Sequence, residues 1–422
     1  MNKDSLAMLA DSYVSPLLLN TLIREKIPVL ALSSRLEEDL EIHCEGLELV
    51  DEERASRIIS ADGSRIYAGS EEALPAFKKF SGDLPLFEKI ELLRDKLRFR
   101  ELLKDIFPDF RFIEAPLTEL KDGTLPEGNQ FIIKPSKSFC GAGARIGKLK
   151  VKDVDDLRHK INEFINEMEK GPADGCSGTS DSRASDSGAS DSGASDSGAS
   201  DSEKYIIEEY IQGDEFSCDA YIDSRGVPVI LGIYAHPFRD EDDFRETVYY
   251  TSPGIVRKIL PRAMDFLKRL ASRMDIVNIK SAPIPLNLKF RLKKNRLLPI
   301  EVNPMSFGGF SLPDLAFFAF NINPYLHYFR DLRPDWDGIL SRAGQDDSVY
   351  YWVLSGLSEG DAAGKVPDHD KYSDLFEDLI GYCKLDTRRY PAFSIAFGRA
   401  KRPEDVLKYL DLDFKEFLKT QC

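Results

Sequence analysis

A small parallel α/β domain, a larger α+β body and a mixed C-terminal region make up the fold class that this 422-residue sequence predicts. Three observations predict it. Strand-like and helix-like runs alternate over residues 1–85. From Tyr205 to Tyr234 the pattern becomes strand, turn, strand, turn, strand, which reads as an antiparallel meander. From Pro285 to Asn303 two alternating runs flank Lys293-Lys294-Asn295, which reads as a hairpin. The length allows two or three domains with cores of their own.

Composition narrows the function classes. The chain is 42% hydrophobic and 31% charged, as in soluble globular proteins. Its net charge of −15 argues against a nucleic-acid surface, although local Lys and Arg can still form a pocket for an anion. No apolar run is long enough to span a membrane. Met1-Asn2-Lys3-Asp4-Ser5 leads into only a short apolar patch, a poor signal peptide. The six cysteines show no Cys-x-x-Cys or metal spacing, and the five histidines are dispersed. A reducing, cytoplasmic setting is expected, without zinc.

The elements follow in order. Tyr13–Glu25 reads as a helix, Ile27–Leu32 as a buried strand and Ile66–Ser70 as another strand, with a helix starting at Glu71 behind a Ser70 cap. Phe87–Phe107 reads as one helix with an apolar face, carrying Lys96 and Arg100 among its charges. Gln130–Pro135 is a strand ending in Lys134, followed by a loop of small residues that includes Gly141 and Gly143. Such a loop can donate backbone N–H groups to phosphates, but it is not a P-loop, and taken alone it is equally an ordinary loop. Asp153–Glu169 reads as a helix. The pentad Ala-Ser-Asp-Ser-Gly then recurs up to Ser202. Residues 172–202 hold six aspartates and one arginine, so they supply −5 of the −15, and they cannot form a packed core. The helix over 255–273 carries Pro261 near its first turn, and Leu312–Phe320 is an apolar helix. Beyond 331, strands are expected at Tyr350–Leu354 and Ala392–Phe397, and helices at Asp370–Cys383 and Asp405–Leu418.

The chemistry concentrates at Glu301-Val302-Asn303-Pro304. An acid and an amide two residues apart on a strand face the same side and offer hard oxygen ligands suited to Mg²⁺. Alone, the stretch is equally a surface Glu before an Asn-Pro turn. On the partner strand Asn287, Lys289 and Arg291 share one face by period-two alternation.

Three spaced elements, in this order, resemble the ATP-grasp superfamily: the strand ending in Lys134-Pro135 with its glycine loop, Ile207-Glu208-Glu209-Tyr210-Ile211 followed by Gly213 and Glu215, and Glu301-Val302-Asn303-Pro304 closing a hairpin. The resemblance covers roughly residues 10–330. It implies a pre-grasp α/β domain over 1–88, a two-subdomain ATP-grasp domain over 89–330 with the 172–202 insert, and a mixed region over 331–422. It implies ATP and Mg²⁺ as cofactors, with Mn²⁺ as an alternative ion. Position by position, Lys134 is similar to the lysine on the α- and β-phosphates, and Lys96 or Arg100 to the second phosphate contact. Gly141 and Gly143 lie in what resembles the flexible phosphate cover. Glu208 and Ile211 resemble the adenine hinge, with Tyr210 between them. Glu215 resembles the ribose carboxylate, and Glu301 and Asn303 the metal ligands.

Two positions depart from the family pattern. Lys289 stands where many members carry an acid or Gln, and Met305 follows Pro304 where many carry Arg. A protonated lysine cannot ligate a metal, so either one metal binds instead of two or the ammonium replaces the second. The resemblance implies a ligase that joins a carboxylate to an amine or thiol through an acyl phosphate, releasing ADP and phosphate. The alternative is a nucleotide-binding protein with weak or lost catalysis. Both substrates would be small molecules, with neither nucleic acid nor membrane as a partner. The candidates near the chemistry are His236, Arg239, Lys289 and the Gly308-Gly309 backbone.

Overall fold

The computed structural model describes residues 4–82, 85–116, 130–136, 149–151, 153, 155–156, 159–160, 204–240, 243, 245–276, 282–344, 346–358 and 360–420. The glycine loop with Gly141 and Gly143, most of the helix expected over 153–169 and the insert 172–202 lie outside the described residues. The chain forms two units. One comprises residues 1–106 and 211–422, the other residues 107–210.

The larger unit opens with β1 (Ser5–Leu9), α1 (Pro16–Glu25), β2 (Val29–Ala31), α2 (Ser34–His43), α3 (Glu52–Ile59), β3 (Arg65–Ala68), α4 (Leu74–Ser81), α5 (Pro85–Arg94) and α6 (Lys96–Leu102). The strands form a parallel sheet in the order β2-β1-β3. Its centre is the short apolar patch behind Met1–Asp4, which the sequence reading left without a role. All five residues of β1 are buried, because a central strand covered on both faces needs apolar residues throughout. Ser15 caps α1, its Oγ accepting from Leu17 and Leu18 N–H. The single helix expected over Phe87–Phe107 is broken at Asp95. That residue is extended (φ −74°, ψ 108°) and accepts from Arg98 N–H, so an aspartate that could sit in a helix interior instead starts a new one.

The smaller unit holds β4 (Phe112–Pro116), β5 (Phe131–Pro135), β6 (Leu149–Val151) and β7 (Lys204–Glu209), antiparallel in the order β4-β7-β5-β6.

The larger unit resumes with β8 (Asp214–Ile222), β9 (Pro228–His236), β10 (Val248–Thr251), α7 (Pro253–Ile276), β11 (Ile284–Lys293), β12 (Arg296–Pro304), α8 (Asp314–Phe320), α9 (Pro324–Arg330) and α10 (Trp336–Ala343). Then come β13 (Val349–Gly356), β14 (Lys365–Pro367), α11 (His369–Ser373), β15 (Leu379–Lys384), β16 (Ala392–Ala400), α12 (Glu404–Leu407) and β17 (Leu418–Thr420). Eight of these strands form one sheet in the order β12-β11-β8-β9-β10-β13-β16-β15, so the tail continues the body's sheet. The helix α7 covers one face with Val256, Ile259, Ala263, Leu267 and Leu270, all almost wholly buried at helical spacing. Each large side chain there contributes about 1.5–3 kcal/mol. Pro261 falls inside this helix rather than at its first turn. It lies on the exposed side, where the exposed Arg257 carbonyl that loses its partner remains solvated.

Two tail helices give way to other structure. Over 370–383 only α11 is helical, and Leu379–Lys384 becomes the edge strand β15. A Cβ at Gly381 would meet Phe318 at 3.1 Å and Phe397 at 3.3 Å, and this close packing favours the strand over a helix that glycine weakens by about 1 kcal/mol. Over 405–418, α12 is followed by two single 3₁₀ turns and β17. Leu412 is extended, and Asp413 accepts from Lys415 N–H to start the second turn.

Candidate active site

The side of the eight-stranded sheet away from α7 is polar, although it is buried. Three cross-strand rows build it. Arg291, Glu215 and His236 face one another across β11, β8 and β9; Lys289, Ser217 and Tyr234 form the next row; Asn287, Asp219 and Gly232 the third. All the side chains in these rows are buried. Between them in sequence, Phe216, Cys218, Leu288 and Phe290 point the opposite way. Apolar groups are the usual content of a buried sheet face. Eight polar side chains in their place require one another, or a ligand, as partners.

Much of that pairing is internal. Arg291 donates Nε–H to Glu215 Oε2 (3.0 Å) and Nη1–H to the Ile211 carbonyl (2.8 Å), and its guanidinium lies over the Phe238 ring. Glu215 Oε1 lies 3.0 Å from His236 Nδ1, and the imidazole stacks on Tyr249 with centroids 4.1 Å apart. The carboxylate that resembles the ribose contact is therefore held on both oxygens by protein groups. The Ile211 carbonyl, part of the expected adenine hinge, is likewise engaged by Arg291.

At the edge strand the register places Glu301 opposite Lys289 and Asn303 opposite Asn287. A bulge makes this possible. Lys289 pairs with Glu301 but Phe290 with Pro299, so the register steps past Ile300. Arg100 satisfies the carbonyls at this break, donating to Pro299 O (2.6 Å) and Ile300 O (3.1 Å). Arg100 is thus buried as a backbone clamp on the bulge. Lys96 opens α6 directly after the Asp95 cap.

Lys289 is the charge centre of this edge. It hydrogen-bonds Glu246 and lies 3.5 Å from Glu301 Oε1. Burial favours its neutral form, but Glu246, Tyr249 and Glu301 hold its pKa well above the usual lysine range. Glu301 and Asn303 remain a pair of hard oxygen donors on one strand. Mg²⁺ commonly uses one or two protein carboxylates and takes its other ligands from phosphates and water, so this donor set fits the ion. The ammonium beside it disfavours a second cation. Among the described residues no group of three or more His, Cys, Asp and Glu is gathered into a metal centre.

Beyond Pro304 the chain turns through a strained loop. Met305 (φ 76°), Phe310 (φ 48°) and Ser311 (φ 59°) all adopt left-handed conformations. Surrounding contacts enforce them. Met305 N–H donates to Pro285 O and its carbonyl accepts from Ala68 N–H, while the Phe310 carbonyl accepts from the Trp352 indole. The Gly308 N–H donates to Asp219 Oδ1. At the loop's far end Asp314 is buried beside the Ser15 hydroxyl (2.7 and 2.9 Å from its two oxygens) and the Tyr325 hydroxyl (3.3 Å). Burial pushes its pKa from 3.8 up to about 7, against the hydrogen bonds from Ser15 and Tyr325. The folded chain therefore holds this proton more tightly than the unfolded one. The resulting stabilisation, ~4 kcal/mol at most, is full below pH 4 and is lost as pH rises through about 7. Asp314→Asn keeps an acceptor for Ser15 without the titration. Relative to wild type, its thermal midpoint is expected to rise from pH 5 to pH 8; a falling difference would contradict the assignment.

In the smaller unit Lys134 and Glu208 are diagonal neighbours on one sheet face, since Ile132 pairs with Glu208 and Lys134 with Ile206. Their side chains form a buried ion pair at 2.5 Å. Tyr210 N–H donates to Gln130 O. Arg239 lies on the exposed loop after β9, bonded to Asp240. Asp219, Tyr234, Glu246 and Tyr249 were absent from the sequence-based candidates, as was a site role for Arg291. The alternation Glu215, Ser217, Asp219 on β8 was a readable signal for one of them. Glu246 lies outside any strand pattern and carried none.

Residues 189–314 match the family model described as the ATP-grasp domain. No curated protein matches the sequence. Solved structures do. The L-amino acid ligase from Bacillus licheniformis is 14% identical with a TM-score of 0.60, over 99% of this chain and 98% of that one. The N5-carboxyaminoimidazole ribonucleotide synthetase from Thermotoga maritima is 14% identical at 0.59, over 99% of both chains. The biotin carboxylase from Campylobacter jejuni, solved as a β,γ-ATP complex, is 11% identical at 0.58, over 97% of this chain and 93% of that one. The chain carries an ATP-grasp domain and has the ATP-grasp fold. Among the described residues no helix is long and apolar enough to cross a membrane.

Proposed function

We propose that this protein is an ATP- and Mg²⁺-dependent ligase that joins a small carboxylate to an amine, or to a thiol, through an acyl phosphate. The observation that carries this reading is the buried polar sheet face, which ends in Glu301 and Asn303 on β12. Support comes from the ATP-grasp match and from structural relatives titled as ligases, synthetases and carboxylases. Glu301 and Asn303 would hold the metal, whose chemistry is to neutralise charge on the transferred phosphoryl group. Lys289 adds a fixed positive charge next to them. Lys134 is the phosphate contact that the resemblance implies, with Glu208 orienting its ammonium. The chemistry needs positioning and charge stabilisation rather than a protein nucleophile.

ADP release from the purified chain, with pooled amino acids and small carboxylates, tests the reading. Release is expected to depend on at least one carboxylate and to fall to background with EDTA. Metal-independent release, or none over a broad panel, would remove it. A second reading, nucleotide binding with weak or lost catalysis, is favoured by Lys289 pairing with Glu301 and by Met305 in place of an arginine. ATP binding with no turnover over that panel would establish it.

A further inference from the structure

Asp219 on β8 is fully buried. Its Oδ1 accepts from the Asn287 amide (2.9 Å) and from the Gly308 N–H (2.8 Å). Among the described residues its Oδ2 is buried without a hydrogen-bond partner, and so is the Tyr234 hydroxyl. The two groups lie side by side without completing a hydrogen bond to each other. Gly232 makes room for this arrangement, since a Cβ there would stand 2.1 Å from the Tyr234 oxygen. Leaving a buried donor or acceptor unsatisfied costs about 1–3 kcal/mol each, more for a charged one.

Among the described residues the groups around Asp219 supply no positive charge. Tyr234 faces it from β9, Asp314 from α8, Tyr67 from β3 and Tyr325 from α9, with Cys218 adjacent on β8. On the same sheet face Lys289 is engaged by Glu246 and Glu301, and Arg291 by Glu215 and the Ile211 carbonyl. What the spot lacks is one cation with several N–H donors. A primary ammonium supplies both. The register also places Asp219, Asn287 and Asn303 in one row, so Asp219 stands two strand spacings, ~10 Å, from the candidate metal ligand. A reacting acyl group fits in that span. A Cβ at Gly309 would meet no atom within 4 Å, so the loop over Asp219 is open on that side.

We propose that Asp219 and Tyr234 form the acceptor subsite, which binds a primary ammonium group and takes its proton on Asp219 Oδ2. The proposal rests on the ligase reading. The ammonium gives one proton to Asp219, and the freed lone pair forms the C–N bond at the acyl carbon. The bond from that carbon to the phosphate oxygen breaks, and its electron pair leaves with phosphate. A second proton from nitrogen passes to the phosphate, giving amide and hydrogen phosphate. Asp219 then releases its proton to solvent. Burial raises Asp219 to about 6, against the hydrogen bonds from Asn287 and Gly308 and the nearby Tyr234 hydroxyl, which suits a proton acceptor near neutral pH.

The test compares two acceptors on the full chain, with a carboxylate that supports ADP release in the wild type. One acceptor is a primary amine. The other is hydroxylamine, which is uncharged at neutral pH and needs no proton removed before it attacks. Asp219→Asn is expected to lose about 10²–10⁴-fold in amide formation and the acid limb of its pH profile, while hydroxamate forms within a few-fold of wild type. Equal losses with both acceptors, or none with either, would overturn the proposal. Should Asp219→Asn fail to fold, Tyr234→Phe is expected to raise KM for the amine more than for hydroxylamine; an equal change in both, or none, would overturn it. A wild-type chain that forms neither ADP nor hydroxamate removes the ligase reading and the subsite with it. Hydroxamate in the wild type with an unaffected Asp219→Asn removes the subsite alone.

Discussion

Arg291→Ala is expected to lower the stability of the larger unit by about 3–5 kcal/mol, the usual cost of breaking a buried ion pair from one side. The arginine holds Glu215 through Nε and the Ile211 carbonyl through Nη1, and both contacts are buried. Without it, Glu215 loses the guanidinium that holds its Oε2, in an environment that penalises an uncompensated charge. A fall of roughly 10 °C in the thermal midpoint is the expected reading. Arg291→Lys is expected to fall between the two, since an ammonium restores charge but cannot reproduce the two-pronged contact. Replacing Arg291 by Met and Glu215 by Leu together is expected to recover most of the stability while abolishing ATP binding. That separates the row's structural cost from its ligand role. An Arg291→Ala midpoint equal to wild type would show that the pair contributes nothing net.

Glu301→Gln is expected to reduce ADP release by about 10²–10³-fold, the usual loss when one charge-stabilising contact is removed from a reacting site. The substitution preserves shape and one acceptor oxygen and removes the charge. The edge strand loses its ion pair with Lys289, but Lys289 retains Glu246 as a counter-charge, so the fold is expected to hold. The measurement is the rate at saturating ATP as Mg²⁺ is varied, with a thermal scan alongside. A large rate loss with an intact transition and a weaker dependence on Mg²⁺ identifies Glu301 as a metal ligand. An unchanged rate would leave it as the counter-charge of Lys289.

The parts of the site that were legible in the sequence are those whose meaning is local. Glu301 and Asn303 share a face because strand geometry has a period of two, and Asn287, Lys289 and Arg291 share theirs for the same reason. Lys134 at a strand end could be read in the same way. Arg100 could not. Its helical position promised a solvent-facing charge, yet it is spent on two carbonyls at the Ile300 bulge, about two hundred residues away in sequence. The bulge follows from pairing between two strands, so neither strand announces it alone.

The same contrast runs through the fold. The strand–helix alternation at the N-terminus, the meander and the hairpin were set by hydrophobic periodicity and turn residues, which act over a few neighbouring positions. The central place of β1, the break of the helix at Asp95 and the conversion of Leu379–Lys384 into β15 depended on partners far along the chain. By itself, then, the sequence determined the order of elements and the chemical types along each strand. Only tertiary structure decided which charges neutralise one another. Glu215 is bound by Arg291 and His236, Lys289 by Glu246 and Glu301, and Asp219 Oδ2 is left without a partner among the described residues. Strand pairing sets that allocation, because cross-strand register fixes which side chains stand within hydrogen-bonding reach of each other in a low-dielectric interior.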